Sequence, residues 1–311
     1  MSLLSIPGFT NVGYLLHSLK HEPMEADLQG RTVVITGGTG GLGRAGAEGI
    51  AALGARTIIV GRDDSKLRAA ETGIDGEVVG YQADLSLMSE IRDLAGRLLD
   101  QENRLDVLVN NVGVLVGERE VTAEGIEKTL AVDLAGHFLL TNLLIPRLAE
   151  DAPSRIINMT SGGMYSEKIR PEDLQFEERQ YRGAAAYAHA KRGQVILTEM
   201  WAERLAGTGV TVHVMHPGWA KTSGVAASLP VFDKVMRPFL RTPAQGADTM
   251  VWLAAAPEPV SQPGELWFDR RVVPKHLVDK TRETPEDRQA LWNGLVELTG
   301  SDMPELPGVR R

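Results

Sequence analysis

The 311-residue sequence predicts an α/β fold: one doubly wound parallel sheet of about seven strands, with helices on both faces. Three observations carry this expectation. Short β-branched runs alternate with helical stretches from residue 31 to about residue 270. The strand runs are apolar throughout, which means both sheet faces are covered. The first run ends in a glycine cluster that opens the first helix, as in a βαβ nucleotide-binding unit.

The elements follow in order. Residues 1–29 read as an extension; MSLLSIPGFTNVGYLLHSLKHEP is mildly apolar but lacks a basic leader and a continuous apolar core. A short amphipathic helix is expected there, lying on the domain or, as the alternative, on a membrane surface, and not a signal peptide. RTVVIT (31–36) is a strand, LGRAGAEGIAALGA (42–55) a helix, and RTIIVG (56–61) and VVGYQADL (78–85) the next strands. EIRDLAGRLLDQE (90–102) is an amphipathic helix and LDVLVNN (105–111) the fourth strand. A long apolar helix (129–150), SRIINMTS (154–161), a second long helix (184–207) and VTVHVMHPG (210–218) come next. PAQGADTMVWLAAA (243–256) is helical and GELWFD (264–269) the last strand. The alternation has no break, so 30–270 is read as one domain. The charged, proline-containing tail 271–311 is expected to pack over its surface.

Composition narrows the function. With 43% hydrophobic and 24% charged residues the chain reads as an ordinary soluble protein. A net charge of −8 excludes nucleic acid as the main partner, because phosphate binding wants a basic face. The absence of cysteine excludes disulfides and thiolate chemistry, and fits a reducing, cytoplasmic setting. No run of about 18 apolar residues marks a membrane span.

The glycine run TVVITGGTGGLG (32–43) lets backbone approach a pyrophosphate, with the helix N-terminus holding its charge. Several glycine patterns fit it: Gly38, Gly40 and Gly43 match G-x-G-x-x-G, while Thr36 and Gly37 open two T-G forms, through Gly41 or Gly40 to Gly43. Thr39 and Leu42 lie inside the same turn. The end of the second strand selects the dinucleotide. An acid there would accept the ribose hydroxyls of NAD; this chain has Gly61 and then Arg62, which suits a 2′-phosphate. Asp63 and Asp64 follow and blur the signal. NADP(H) is favoured, with NAD(H) the alternative.

Residues 186–192 read AYAHAKR, which puts Tyr187 and Lys191 on one helical face. Taken together and in order, TGGTGGLG, NNVG, a Thr-Ser closing the fifth strand, YAHAK and HPG resemble the short-chain dehydrogenase/reductase family over roughly residues 30–270. The resemblance implies a Rossmann-type fold and hydride exchange between NAD(P) and alcohols or carbonyls. It selects the T-G-x-x-x-G-x-G form of the glycine run. It implies that NNVG, with Asn110, Asn111 and Gly113, supports the central sheet beside the cofactor. Asp84 and Leu85 would lie at the adenine, and Pro217, Gly218 and Thr222 at the nicotinamide amide.

Carbonyl reduction needs a proton from the protein, and Tyr187 is the candidate acid. Free tyrosine has a pKa of about 10, and the nearby Lys191 ammonium favours its anion. The resemblance gives Lys191 a second task, hydrogen bonding the nicotinamide ribose. Ser161 would orient the substrate oxygen, with Thr160 the adjacent alternative. Two departures from the family stand out. Asp133 occupies the place of an asparagine that helps hold a relay water, and an ionised aspartate cannot donate. The segment 164–183 lengthens the gap from Ser161 to Tyr187 and is expected to border the substrate cleft. Tyr165 and Tyr181 lie within it, but neither has a lysine four residues on. Met164 and Trp219 either line an apolar pocket or simply pack.

His189 is expected to face away from Tyr187, and His213 and His216 have no carboxylate or cysteine partner nearby, so no metal is assigned. By resemblance, residues 223–243 are a substrate lid whose apolar content points to an apolar carbonyl or secondary alcohol; the residues alone fit a surface helix covering the core equally well. The two long helices resemble the family's dimer interface, so a homodimer or homotetramer is expected, although the tail is long enough to block that face. The alternative functions are a catalytically impaired NADP(H)-binding sensor or scaffold, and a nucleotide-sugar epimerase, which the short tail disfavours.

Overall fold

All five residues of TVVIT are buried, and they form strand β1 (Thr32–Thr36) inside the sheet. In the computed structural model, which describes residues 6–22, 24–221 and 234–306, β1 pairs in parallel with β2 (Arg56–Gly61) and with β4 (Val107–Asn110). β3 (Val78–Gln82) forms one edge, and β5 (Ser154–Met159), β6 (Val210–Met215) and β7 (Leu266–Phe268) continue beyond β4. The order is β3-β2-β1-β4-β5-β6-β7-β8, a Rossmann-type α/β sheet. The first seven strands are parallel. β8 (Arg271–Val272) turns back against β7 through Asp269 and Arg270, whose φ values of 48° and 56° suit a tight hairpin. It is the one strand beyond the expected seven, and two residues are too short to show a periodicity.

Helices α2 (Gly41–Ala51), α3 (Asp64–Gly73) and α7 (Pro243–Ala255) cover one face, on a core that includes Ile35, Ile50, Ile59, Leu67 and Met250. Helices α4 (Met88–Gln101), α5 (Lys128–Glu150), α6 (Gly183–Arg204) and α8 (Pro285–Thr299) cover the other. By length and composition α5 would reach across a membrane, but 89% of its most apolar window is buried in the fold. It is a core helix. Gly193 lets α6 close on it, since a Cβ there would press into Leu134 at 2.7 Å.

Two helices escape the strand–helix pattern. In α3 only Leu67 and Ala70 are buried, too little for an apolar stripe; Asp63 starts it by accepting from the Lys66 amide. In the tail, Thr284 and Asp287 form a capping box that starts α8, and Leu291, Trp292 and Leu295 enter the core. The tail is therefore more than a surface wrap. The extension contributes α1 (Asn11–Ser18), capped by Thr10.

Candidate active site

The strand order reverses between β1 and β4, which opens the crevice where α/β sheets bind ligands. Its floor is the glycine turn. Gly37 has φ +72° and Gly41 φ +55°, conformations that disfavour a side chain. A Cβ on Gly43 would overlap the Gly37 carbonyl oxygen and stand 2.5 Å from Asn111 Nδ2. The Asn111 amide donates to the Thr36 carbonyl (2.7 Å), and the backbone N–H groups of Asn111 and Val112 donate to Thr36 Oγ1 (2.9 and 3.1 Å). The turns after β1 and β4 are thus tied together. No side chain caps α2 at Gly40, and a Cβ there would meet nothing within 4 Å. An uncapped helix N-terminus facing open space fits a pyrophosphate.

The flanking candidates differ in placement. Thr39 packs on Gly61, where a Cβ would stand 2.9 Å from Thr39 Cγ2, and Leu42 reaches Gly246 of α7. Arg62 is exposed at the end of β2, and among the described residues no ion pair engages its guanidinium. The neighbouring acids are committed: Asp63 caps α3 and Asp64 pairs with Arg68. Asp84 is part exposed and accepts from the Ser86 amide (2.9 Å), whereas the Leu85 side chain is buried in the core. Asn110 is also buried, and it donates to Thr141 Oγ1 (2.8 Å) and Asn158 Oδ1 (2.9 Å). It supports the sheet, as the resemblance implies, and its side chain is taken up there and is not a cofactor contact.

At the chemical end, β5 runs out into Thr160 and Ser161. Thr160 is buried and donates to the Lys191 carbonyl (2.7 Å), which fixes α6 against the strand and leaves Ser161 as the available hydroxyl. Ser161 caps a short 3-10 turn, Gly162–Tyr165. Helix α6 sets the Lys191 ammonium 5.4 Å from the Tyr187 ring centre. That ammonium is buried, donates to the Met159 carbonyl (3.1 Å) and lies 3.3 Å from Asp133 Oδ2. Asp133 Oδ1 accepts from the Val114 amide (2.7 Å). A Cβ on Gly113 would come within 3.1 Å of both Lys191 Nζ and Asp133 Oδ2, so that glycine leaves room for the pair.

Asp133 sits in a π-helical turn, Ala131–Ala135, that interrupts α5; such turns are frequent at functional sites. Burial pushes its carboxyl up from 3.8 to about 6, against the Lys191 charge and the Val114 donor. Burial also raises the Tyr187 hydroxyl above its ordinary 10; Lys191 opposes this, the Asp133 charge adds to it, and a hydrogen bond from Ser161 opposes it. Ser161, Tyr187, Lys191 and Asp133 therefore form one electrostatic unit. Gln194 was not apparent from the sequence: its Nε2 donates to the Asp133 carbonyl (2.7 Å) and contacts His137 Nδ1 (2.8 Å). Burial and the Lys191 charge keep His137 well below its ordinary pKa.

The remaining candidates resolve as follows. Pro217 and Gly218 lie past β6, where Gly218 has φ +73° and a Cβ would stand 2.5 Å from Arg241 Nε. Thr222, and most of the expected lid 223–243, fall outside the described residues. Met164 is fully buried against Arg192, so it packs; Trp219 is half-buried and stacks on Phe9. Tyr165 donates to the Pro274 carbonyl and Tyr181 to Glu127, away from Lys191. The segment 164–183 meets the loop after β4 through Arg119 and the Gln175 carbonyl (2.9 Å), but its centre lies under α8, with Leu174 buried beside Gly294. His189 accepts from the Arg170 amide beneath the same segment.

A glycine-floored crevice at the switch point, with Ser, Tyr and Lys converging at its end, defines an NAD(P)-dependent oxidoreductase of the α/β class. A family model described as short chain dehydrogenase matches residues 31–230. The chain is 38% identical over 299 residues to dehydrogenase/reductase SDR family member 12 of Bos taurus, covering 93% of each. It is 38% identical over 288 residues to retinol dehydrogenase 12 of Bos taurus, covering 89% of this chain and 88% of that one. The Pseudomonas aeruginosa RhlG/NADP complex superposes with a TM-score of 0.65 at 26% identity, covering 77% of this chain and 94% of that one. The chain belongs to the short-chain dehydrogenase/reductase family.

Proposed function

We propose that this oxidoreductase exchanges a hydride between NADP(H) and an apolar carbonyl or secondary alcohol, with Tyr187 as general acid and base. The observation that carries the reading is the fixed placement of the Lys191 ammonium beside Tyr187, at a helix face closed by Asp133 and Met159. When bound, the nicotinamide supplies or accepts the hydride. In reduction, the Tyr187 hydroxyl gives its proton to the carbonyl oxygen; in oxidation the tyrosinate takes it back. Lys191 stabilises the tyrosinate left behind, and Ser161 donates to the substrate oxygen. Thr36, Gly37, Gly41, Gly43 and Asn111 would shape the pyrophosphate site.

NADP(H) is favoured because Arg62 is uncommitted while Asp63 and Asp64 are engaged, and the RhlG neighbour is an NADP complex. An apolar substrate is favoured by the likeness to a retinol dehydrogenase. Initial rates of NADPH oxidation against apolar aldehydes and ketones test the proposal. Tyr187→Phe should lower turnover by about 10³, within the usual range for a lost general acid. If NADPH binds but no carbonyl turns over, the sensor or scaffold reading replaces this one.

A further inference from the structure

Phe9 lies outside the matched family region, yet it packs beside Gly162, the residue after Ser161. Its ring centre is 5.2 Å from that of His216, 5.6 Å from Trp219 and 5.5 Å from Phe268. On the other side, the atom nearest to a Cβ built on Gly162 is Phe9 Cε1, at 3.8 Å. The ring therefore bridges the loop that carries Ser161 and the loop that carries Pro217 and Gly218. It is half-buried, so part of it remains open.

The backbone beneath it is held firmly. Arg241 is fully buried and donates to the carbonyls of Gly8 (2.8 Å), Phe9 (3.1 Å) and Thr10 (3.3 Å). It also makes a bidentate pair with Asp269, at 2.5 and 2.9 Å. The Trp219 amide donates to the Phe9 carbonyl at 2.9 Å. A guanidinium with this many acceptors in a buried setting leaves little freedom to the segment it holds.

We infer that Phe9 is a specificity-determining residue: the extension closes the substrate site with an aromatic wall beside Ser161, against which the larger apolar group of the substrate packs. Chemistry requires only the carbonyl to reach Ser161 and Tyr187, so a small aldehyde gains little from the wall and a bulky one gains much. The ring contacts described for Phe9 include none with the glycine turn, and in the loop after β6 its ring packs on His216 and Trp219 and not on Pro217 or Gly218. Removing the ring should therefore leave cofactor binding unchanged. The inference rests on the hydride-exchange reading for its kinetic test but not for its binding test.

The experiment compares wild type, Phe9→Leu and Phe9→Ala with NADPH and two aldehydes, propanal and 2-naphthaldehyde. For Phe9→Ala, kcat/KM on 2-naphthaldehyde should fall by about 30-fold and on propanal by less than about threefold, with the NADPH Kd unchanged and Phe9→Leu in between. Equal losses on both aldehydes, or a weakened NADPH Kd, would overturn the assignment and leave Phe9 a packing residue. In parallel, calorimetry measures 2-naphthalenemethanol binding to the NADP⁺-saturated proteins. Wild-type binding that Phe9→Ala weakens by about tenfold sustains the wall even if no aldehyde is turned over, in which case only the hydride-exchange reading fails. If wild type neither binds nor turns over the naphthyl compounds, the wall is rejected.

Discussion

The two sides of the sheet are built by different means. On the side of β2, β1 and β4, the groove is made of backbone and of absent side chains: Gly37, Gly43 and Gly113 sit where a Cβ would strike a neighbour within 3.2 Å. On the side of β5, β6 and β7, the walls are held by buried charges from distant parts of the chain. Arg241 holds residues 8–10 and Asp269, Arg192 holds the Lys275 carbonyl and Glu283, and Lys191 faces Asp133. A groove made by close approach is specified locally. Walls made by ion pairs are specified by partners that find each other only in the folded chain, and they are costly to break from one side.

That contrast can be tested by substitution, most strongly on the charged side. Arg241→Leu leaves the buried Asp269 with His17 as its side-chain partner among the described residues, and removes a donor from the carbonyls of Gly8, Phe9, Thr10 and Pro217; the unfolding free energy in urea should fall by about 3–5 kcal/mol. A loss below about 1 kcal/mol would mean that the clamp is decorative. Trp292→Ala comes next. Trp292 fills the angle between Phe138 of α5 (4.9 Å) and Trp201 of α6 (6.2 Å), and the Arg204 guanidinium lies over its ring. Its removal should cost about 3 kcal/mol and expose the α5/α6 face that the family resemblance assigns to dimerisation. If α8 blocks that face, sedimentation should show self-association absent from wild type, against the homodimer or homotetramer that the resemblance implies. A wild-type dimer would show that α8 does not block that face.

On the nucleotide side the expected effects are smaller and more specific. Arg62→Ala should weaken NADPH by about tenfold, about 1.4 kcal/mol, and leave NADH unchanged; equal losses for both would show that the arginine does not read the 2′-phosphate. The smallest effect joins the two sides. The Asp133 carboxylate adds to the rise in the Tyr187 pKa. Asp133→Asn removes that anion, so the Tyr187 pKa falls. The limb of the pH profile on which alcohol oxidation rises should move to lower pH. A collapse of turnover with no shift would give the carboxylate a role of its own.

The same contrast explains what the sequence made legible. The glycine turn, NNVG and YAHAK were readable because each works within a few residues of itself. The succession of strands along the chain was readable because apolar runs alternate with helices. What stayed hidden was long-range. The sheet support read for Asn110 runs through Thr141 and Asn158, partners that its sequence neighbourhood does not reveal. The insertion 164–183 looked like a cleft border because charge alone says nothing of α8 lying over Leu174. The role of Phe9 left no local signal, since its partners His216, Trp219 and Phe268 lie more than 200 residues away. Only the Thr284–Asp287 box could have announced α8, and it sits in a stretch whose charge masks the apolar face.

The Arg241 clamp also bears on the order in which a ribosome delivers the parts. Phe9 and the arginine that seats it are separated by 232 positions, and Asp269 comes 28 positions later still. The glycine turn and its Asn111 brace are complete well before either emerges. A growing chain thus acquires its glycine turn long before residues 8–10 have a seat, and the docking of that segment waits for non-local contacts, the slowest kind to form.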